Sequence, residues 1–258
     1  MSEIIMRNNG RAFNELRPLK ITTDIFEYAA ASVLYELGKT KVLCAVTLQD
    51  SVPPFLRGKK EGWLSAEYSL LPTSTQTRSA RESVTGKRNG RTMEISRLIG
   101  RVLRTVVRLD TIGERTITID CDVVQADGGT RTASITGACL ALKLASSRWL
   151  QQGIITEPLL TDGIAAISVG FLNDAVLLDI DFIEDSEGDG DFNFVMTKSG
   201  HLLEVQGTAE KKPLSWQHFE QARLLAIQGI EQIFTLTQTV LPLDPINTFS
   251  TTEKQTAL

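Results

Sequence analysis

Apolar and polar residues alternate along the middle of the chain. Ile117, Ile119, Cys121 and Val123 fall on one side of an extended segment, with Thr118, Asp120 and Asp122 on the other. A period of two predicts a strand with one buried face. Asp127-Gly128-Gly129 ends the pattern, and glycine permits a tight turn or close approach of the backbone to a ligand. Beyond the turn, Ile135, Ala138, Cys139, Leu142 and Ala145 recur at helical spacing. The helix runs to about Gln152, where Gly153 and Pro158 close it.

The same patterns extend in both directions. Upstream, residues 17–21 predict an edge strand, because Pro18 lacks the donor a central strand needs. Residues 32–37 and 40–48 flank Gly38-Lys39 as a hairpin. Residues 62–71 form another strand. Residues 73–90, rich in Ser, Thr, Arg and Gly, read as a long mobile loop. A helix follows over about 92–109, its apolar side made by Met93, Leu98, Ile99, Val102, Leu103, Val106 and Val107. Downstream, residues 163–172 and 175–183 flank Asn173-Asp174 as a second hairpin. An acidic loop leads to strands at 192–197 and 201–206. A last helix from about Ser215 buries Trp216, Phe219, Ala222, Leu225, Ala226, Gly229, Ile230 and Ile233. Residues 1–16 form an irregular lead-in. The fold unit spans residues 1–241 as a single domain, and 242–258 form a polar tail.

Composition adds one contrast. Hydrophobic residues make up 42% and charged residues 22% of 258, enough to fill a core. The net charge of −4 argues against a nucleic-acid partner. Yet nine Lys/Arg and only two acids lie between Arg78 and Arg108, a net +7 in that stretch. A basic block in an acidic chain is a local field for a polyanion. Arg97, Arg101, Arg104 and Arg108 repeat at helical spacing and are expected to form a solvated stripe or a subunit contact. Cys44, Cys121 and Cys139 form no CxxC pair, so buried reduced thiols of a cytoplasmic protein are expected. Met1-Ser2-Glu3 lacks the order of a signal peptide, and no apolar run is long enough to span a membrane.

Three features carry candidate chemistry. Arg131 stands in a first helical turn, where a cation opposes the helix dipole. It fits either a solvated arginine on a capped helix or an anion held by free backbone N–H groups, the arginine and a threonine hydroxyl. The second feature is a run of seven acids within thirteen residues: Asp179, Asp181, Glu184, Asp185, Glu187, Asp189 and Asp191. Crowded carboxylates repel unless a cation or proton sits between them, and hard oxygens suit magnesium or manganese. A solvated acidic hairpin is the plain alternative, above all for Glu184, Glu187 and Asp189. The spacing is not an EF-hand, since Met196 occupies the place of its bidentate glutamate. The third feature is the basic loop. Thr85-Gly86-Lys87 lacks the upstream glycine of a P-loop, no GxSxG occurs, and His201 and His218 are expected to be structural. An anion cradle, a basic loop and a carboxylate cluster are the parts of phosphoryl transfer on a polymeric phosphodiester.

Longer motifs carry a resemblance. Residues 125–138, Gln-Ala-Asp-Gly-Gly-Thr-Arg-Thr-Ala-Ser-Ile-Thr-Gly-Ala, resemble the signature of the ribonuclease PH family. So do Gly90-Arg91-Thr92-Met93-Glu94-Ile95, residues 62–68, Val195-Met196-Thr197 and residues 204–210. The resemblance runs in order over about residues 7–235. It implies an α+β fold, the duplicated β-α fold of that family, with two sheets and helices packed between them. It implies a phosphorolytic 3′→5′ exoribonuclease, a tRNA nucleotidyltransferase that trims the 3′ ends of tRNA precursors and can add nucleotides in reverse. Inorganic phosphate would be held by Arg91, Gly129, Thr130 and Arg131. Asp185 and Asp191 would be the essential aspartates, binding Mg2+ or protonating the leaving oxygen. Arg78 and Arg81 would guide the RNA, while Thr73 stands where the family has a first basic residue. The family assembles as a homohexamer, a trimer of dimers. Its inactive relatives in exosome-like rings usually lack the arginine or the aspartates, which this chain keeps.

Overall fold

The computed structural model describes residues 7, 10–86 and 89–240. Strands β1 (Leu19–Thr23), β2 (Ala31–Leu37), β3 (Thr40–Gln49) and β4 (Trp63–Leu70) come first. Helices α1 (Glu82–Thr85) and α2 (Gly90–Arg104) precede β5 (Thr116–Gln125) and the long α3 (Thr130–Gln151). Then follow β6 (Ile164–Leu172), β7 (Ala175–Leu178), α4 (Phe182–Glu187), β8 (Gly190–Thr197), β9 (Leu202–Ala209) and α5 (Trp216–Val240). The tail expected over 242–258, residues 1–6 and 8–9 of the lead-in and Lys87-Arg88 of the basic block lie outside the described residues.

The strands make two sheets. The first has the order β1-β2-β3-β5-β4, with β4 parallel to β5 and the other pairs antiparallel. The second has the order β7-β6-β8-β9, antiparallel throughout. Helix α3 packs on β2 and β3 of one sheet and β6 of the other; α2 packs on β4 and α5 on β6 and β7. The result is the expected two-sheet α+β architecture with helices between the layers.

Position in these layers explains the local patterns. Strand β5 shows the expected alternation, its Ile117, Ile119, Cys121 and Val123 buried and Asp120 and Asp122 on the outer face. The helical spacing predicts one apolar face for α3, but the helix is buried on nearly all sides because a sheet lies on each. Its polar residues tolerate this by bonding back along the helix: Ser134 Oγ donates to the Thr130 carbonyl (2.8 Å) and Thr136 Oγ1 to that of Thr132 (3.1 Å). Gly137 permits the close approach, since a β-carbon there would lie 2.8 Å from Cys44 Sγ. The three cysteines are buried and free.

Several expected boundaries move. Helix α2 ends at Arg104, five residues early, because Val107 pairs with Leu160 and the Val106 carbonyl accepts from Thr161 N (2.8 Å). Met93 is exposed, and Ile95 takes its place in the core. Trp216 is 86% exposed rather than buried. Residues 73–90 hold α1 and are anchored at Ser74, whose carbonyl accepts from Ala126 N (2.8 Å). Strand β7 stops at Leu178, and the expected acidic loop instead folds as α4. The arginine stripe is largely solvated, as expected: Arg97 and Arg101 are exposed, and the ion pairs it makes lie at the surface. Arg101 pairs with Glu204 at 2.8 Å and Arg108 with Glu157 at 2.9 Å, while Arg104 lies 4.7 Å from the Trp63 ring centre.

Candidate active site

The glycine turn between β5 and α3 is the floor of the site. Gly128 and Gly129 both have positive φ, +77° and +64°. A β-carbon on Gly128 would lie 2.5 Å from the Ile180 carbonyl oxygen, so the turn touches the segment leading into α4. Thr40 Oγ1 fixes it from below, donating to the Gly128 carbonyl (2.7 Å) and accepting from Asp127 N (3.1 Å). Gly129 offers no side-chain cap, and the first turn of α3 holds no acid. Free N–H groups and a positive helix end therefore face outward beside Arg131.

Two arginines converge there. Arg91 stands in the first turn of α2, whose N-cap Asn89 accepts from Arg91 N at 3.1 Å. Arg131 is oriented from two other elements. Its Nη1 donates to Glu94 Oε1 of α2 (3.3 Å) and to Gln206 Oε1 of β9, and Gln206 Nε2 donates to the same Glu94 oxygen (2.9 Å). The positive charges of Arg91 and Arg131 both act on Tyr68, Asp185 and Asp191. Tyr68 Oη donates to Thr130 Oγ1 at 3.0 Å.

The acidic run divides. Asp179 is fully buried on Arg17, with its oxygens 2.7 and 3.0 Å from the guanidinium. Glu184, expected to be solvated, is 4% exposed and held by Arg7 at 2.6 and 2.7 Å. Asp181 caps α4, and with Glu184 it forms a capping box. Asp189 pairs with Lys212 at 3.2 Å. Four of the seven acids are therefore met by arginine, lysine or a helix end. Asp185, Glu187 and Asp191 remain; Glu187 is exposed, while Asp185 and Asp191 feel the charges of Arg91 and Arg131. Burial, helped by the charges of Asp191 and Glu210, pushes Asp185 above the usual carboxylate range, and Arg91 and Arg131 pull it back only in part. Burial and Glu210 likewise raise Asp191, against the hydrogen bond from Asn193 (2.7 Å) and the two arginines.

Beside this cluster opens a cavity of about 810 Å³ whose lining includes Tyr68, Ser79, Arg81, Asn89 and Arg91. Arg81 and Arg91 thus share one space. Arg78 is exposed on the same loop outside that lining, as is Thr73. Sequence reasoning misses Tyr68, Glu94, Gln206 and Glu210, although all lie inside the motif segments 62–68, 90–95 and 204–210. His201 bonds Ser199 (2.8 Å), and the His218 ring packs 5.8 Å from that of Phe171. Among the described residues no set of three His, Cys, Asp or Glu forms a ready metal cage, and no helix is long and apolar enough to cross a membrane.

The class the fold defines is a two-sheet α+β domain whose long central helix opens at the glycine turn beside Arg131. Comparison with known families makes it definite: domain 1 of the 3′ exoribonuclease family matches residues 15–147 and domain 2 matches residues 162–229. The chain belongs to this family, of the ribonuclease PH type. The fold is shared with solved structures at 20% identity. Rice (Oryza sativa) Rrp46 matches with a TM-score of 0.74 over 91% of this chain and 100% of its own. An Archaeoglobus fulgidus exosome with RNA bound to its active site matches with 0.77 over 90% and 93%. An archaeal exosome core matches with 0.71 over 88% and 89%.

Proposed function

We propose that this chain is a phosphate-dependent 3′→5′ exoribonuclease acting on the 3′ ends of structured RNA such as tRNA precursors. One observation carries the reading: Arg91 and Arg131 meet Asp185 and Asp191 at the open N-terminus of α3. Inorganic phosphate is already anionic at neutral pH and needs no general base. The barrier is the approach of one anion to another, which two guanidinium groups and free N–H donors relieve. Phosphate, held by Arg91, Gly129, Thr130 and Arg131, attacks the phosphorus of the terminal phosphodiester. The bond from phosphorus to the 3′ oxygen breaks, that oxygen takes a proton, and a nucleoside 5′-diphosphate leaves. The Tyr68 hydroxyl orients Thr130, and Glu94 with Gln206 keeps Arg131 beside Arg91. Arg81, with Arg78 further out, guides the RNA backbone.

Asp185 and Asp191 fit magnesium. That ion keeps several waters and needs only one or two carboxylates plus substrate phosphate oxygens, so a full protein cage is not required. Bound there, it would offset charge building on the scissile phosphate. Their raised pKa values equally suit a proton donor to the 3′ oxygen. A ring of six, a trimer of dimers, and a cytoplasmic location complete the reading.

The likeness to exosome subunits favours a second reading: an RNA-binding subunit of an exosome-like ring without turnover. Product analysis separates the two. The purified chain with a 3′-tailed RNA and magnesium should release nucleoside diphosphates only when phosphate is added. RNA binding with no product in phosphate would establish the ring-subunit reading, and monophosphates without phosphate would make the protein a hydrolase.

A further inference from the structure

Three arginines near the N-terminus take no part in the proposed chemistry, yet they reach both halves of the site. The Arg7 side chain is fully buried. Its Nε and Nη2 hold the two Glu184 oxygens, Nη1 donates to the Leu178 carbonyl (2.8 Å) and Nη2 also to that of Asp179 (3.1 Å). Glu184 is the third residue of α4, and Asp185 is the fourth. A six-residue helix cannot hold itself in water, so its placement depends on what grips it. The grip is this arginine fork together with the capping box. Arg11 Nη2 adds a contact to Glu184 at 3.4 Å.

Arg17 does the corresponding work on the other side. Its Nε and Nη2 hold Asp179, and its backbone N–H donates to the same carboxylate (2.8 Å). Its Nη1 donates to the Asp127 carbonyl and its Nη2 to that of Gly128 (3.4 Å). These carbonyls belong to the glycine turn proposed to hold phosphate. Asp179 itself takes a left-handed φ of +52°, a conformation that persists because its carboxylate is fixed.

We propose that Arg7 and Arg17 brace the site as positioning residues for different steps. Arg7 sets Asp185 through Glu184. Arg17 sets the phosphate turn through the carbonyls of Asp127 and Gly128. The inference rests on the phosphorolytic reading and predicts something that reading does not: two kinetic signatures from one network.

The test uses the full chain with Arg7→Lys, Glu184→Gln and Arg17→Lys. Lysine keeps the charge but loses the planar fork. Glu184→Gln keeps the size and an acceptor for Asp181 N, so it serves if Arg7→Lys does not fold. Phosphorolysis is measured against phosphate concentration, and phosphate binding by calorimetry. Arg7→Lys and Glu184→Gln should lower kcat about 10- to 100-fold, as misplacement of a reacting group by about 1 Å does, with phosphate KM and Kd within about twofold. Arg17→Lys should raise phosphate KM and Kd about tenfold, as lost preorganisation of a binding loop does, with the smaller change in kcat. Folded variants that match the wild type overturn the brace, as do variants that all lose activity in proportion to their unfolded fraction by circular dichroism. A wild-type chain that releases no diphosphate overturns the functional reading instead.

Discussion

Glu184 and Asp185 are consecutive in the chain and opposite in circumstance. Glu184 is buried, and its charge is met by Arg7 and Arg11 at hydrogen-bonding distance. Asp185 reaches solvent, and its nearest charges include two further acids, Asp191 and Glu210. The arginines divide in the same way. Arg7 and Arg17 have their guanidinium groups filled by fixed protein acceptors, whereas Arg91 lines an open cavity. Charge compensated inside the fold holds the backbone in place. Charge left uncompensated at its surface is available to a substrate. Substitutions on each side test that division, beginning where it should matter most.

Arg131 keeps one acidic partner, Glu94, at the edge of the site, and removing it should abolish function and spare the fold. Arg131→Ala should lower phosphate-dependent turnover by about 10³-fold or more, the range for one group stabilising transferred phosphoryl charge. RNA affinity by fluorescence anisotropy should fall by less than about threefold. Equal loss of turnover and RNA binding would mean that Arg131 contacts the RNA backbone and not the attacking phosphate. Removing compensated charge should do the reverse. Asp179→Asn leaves Arg17 buried without its partner, which costs about 3–5 kcal/mol. The melting temperature should drop by roughly 6–20 °C for a chain of this size. An unchanged melting temperature would show that Arg17 finds other acceptors.

How much of this is legible in the sequence depends on the range of the signal. The β5–turn–α3 unit is written in local periods, so residue order alone places Gly129, Thr130 and Arg131. Asp185 and Asp191 come through the family motifs. The division of the acids does not, because Arg7 and Arg17 lie more than 160 residues from their partners. One local sign is present: Asp181 and Glu184 have capping-box spacing, which marks α4 as a helix and not a loop. The overlong α2 is a case of tertiary override, since Val106 and Val107 continue the helical period but serve a bridge to residues 160–161. Glu94 and Gln206 are invisible as a pair because helix α2 and strand β9 meet only in the fold.

The pH dependence separates two roles for the crowded carboxylates. Both Asp185 and Asp191 have folded pKa values above the usual range, so the native state binds protons more tightly than the unfolded chain. Stability from these groups is then greatest at low pH and falls as pH rises through their folded values. Asp191→Asn should therefore melt at or slightly above the wild-type temperature at neutral pH, with little turnover. If the pair donates a proton, kcat falls as pH rises through the raised pKa. If it binds magnesium, kcat instead falls as pH drops through it, and added magnesium moves the midpoint downward. A flat profile across that range would remove both roles.

The smallest effect should come from the most exposed cation. Arg78 lies on the loop after β4, outside the lining of the cavity, so it has little stability to contribute. Arg78→Ala should leave the melting temperature within about 1 °C, as surface substitutions usually do. Its contact with a backbone phosphate would be worth a few-fold in RNA affinity and should lower the slope of log affinity against log salt by about 0.7 for a single strand. Phosphate KM should not move. A defect that persists unchanged at high salt would place Arg78 in a packing role. A shift in phosphate KM would extend the uncompensated region further along the loop than Arg81.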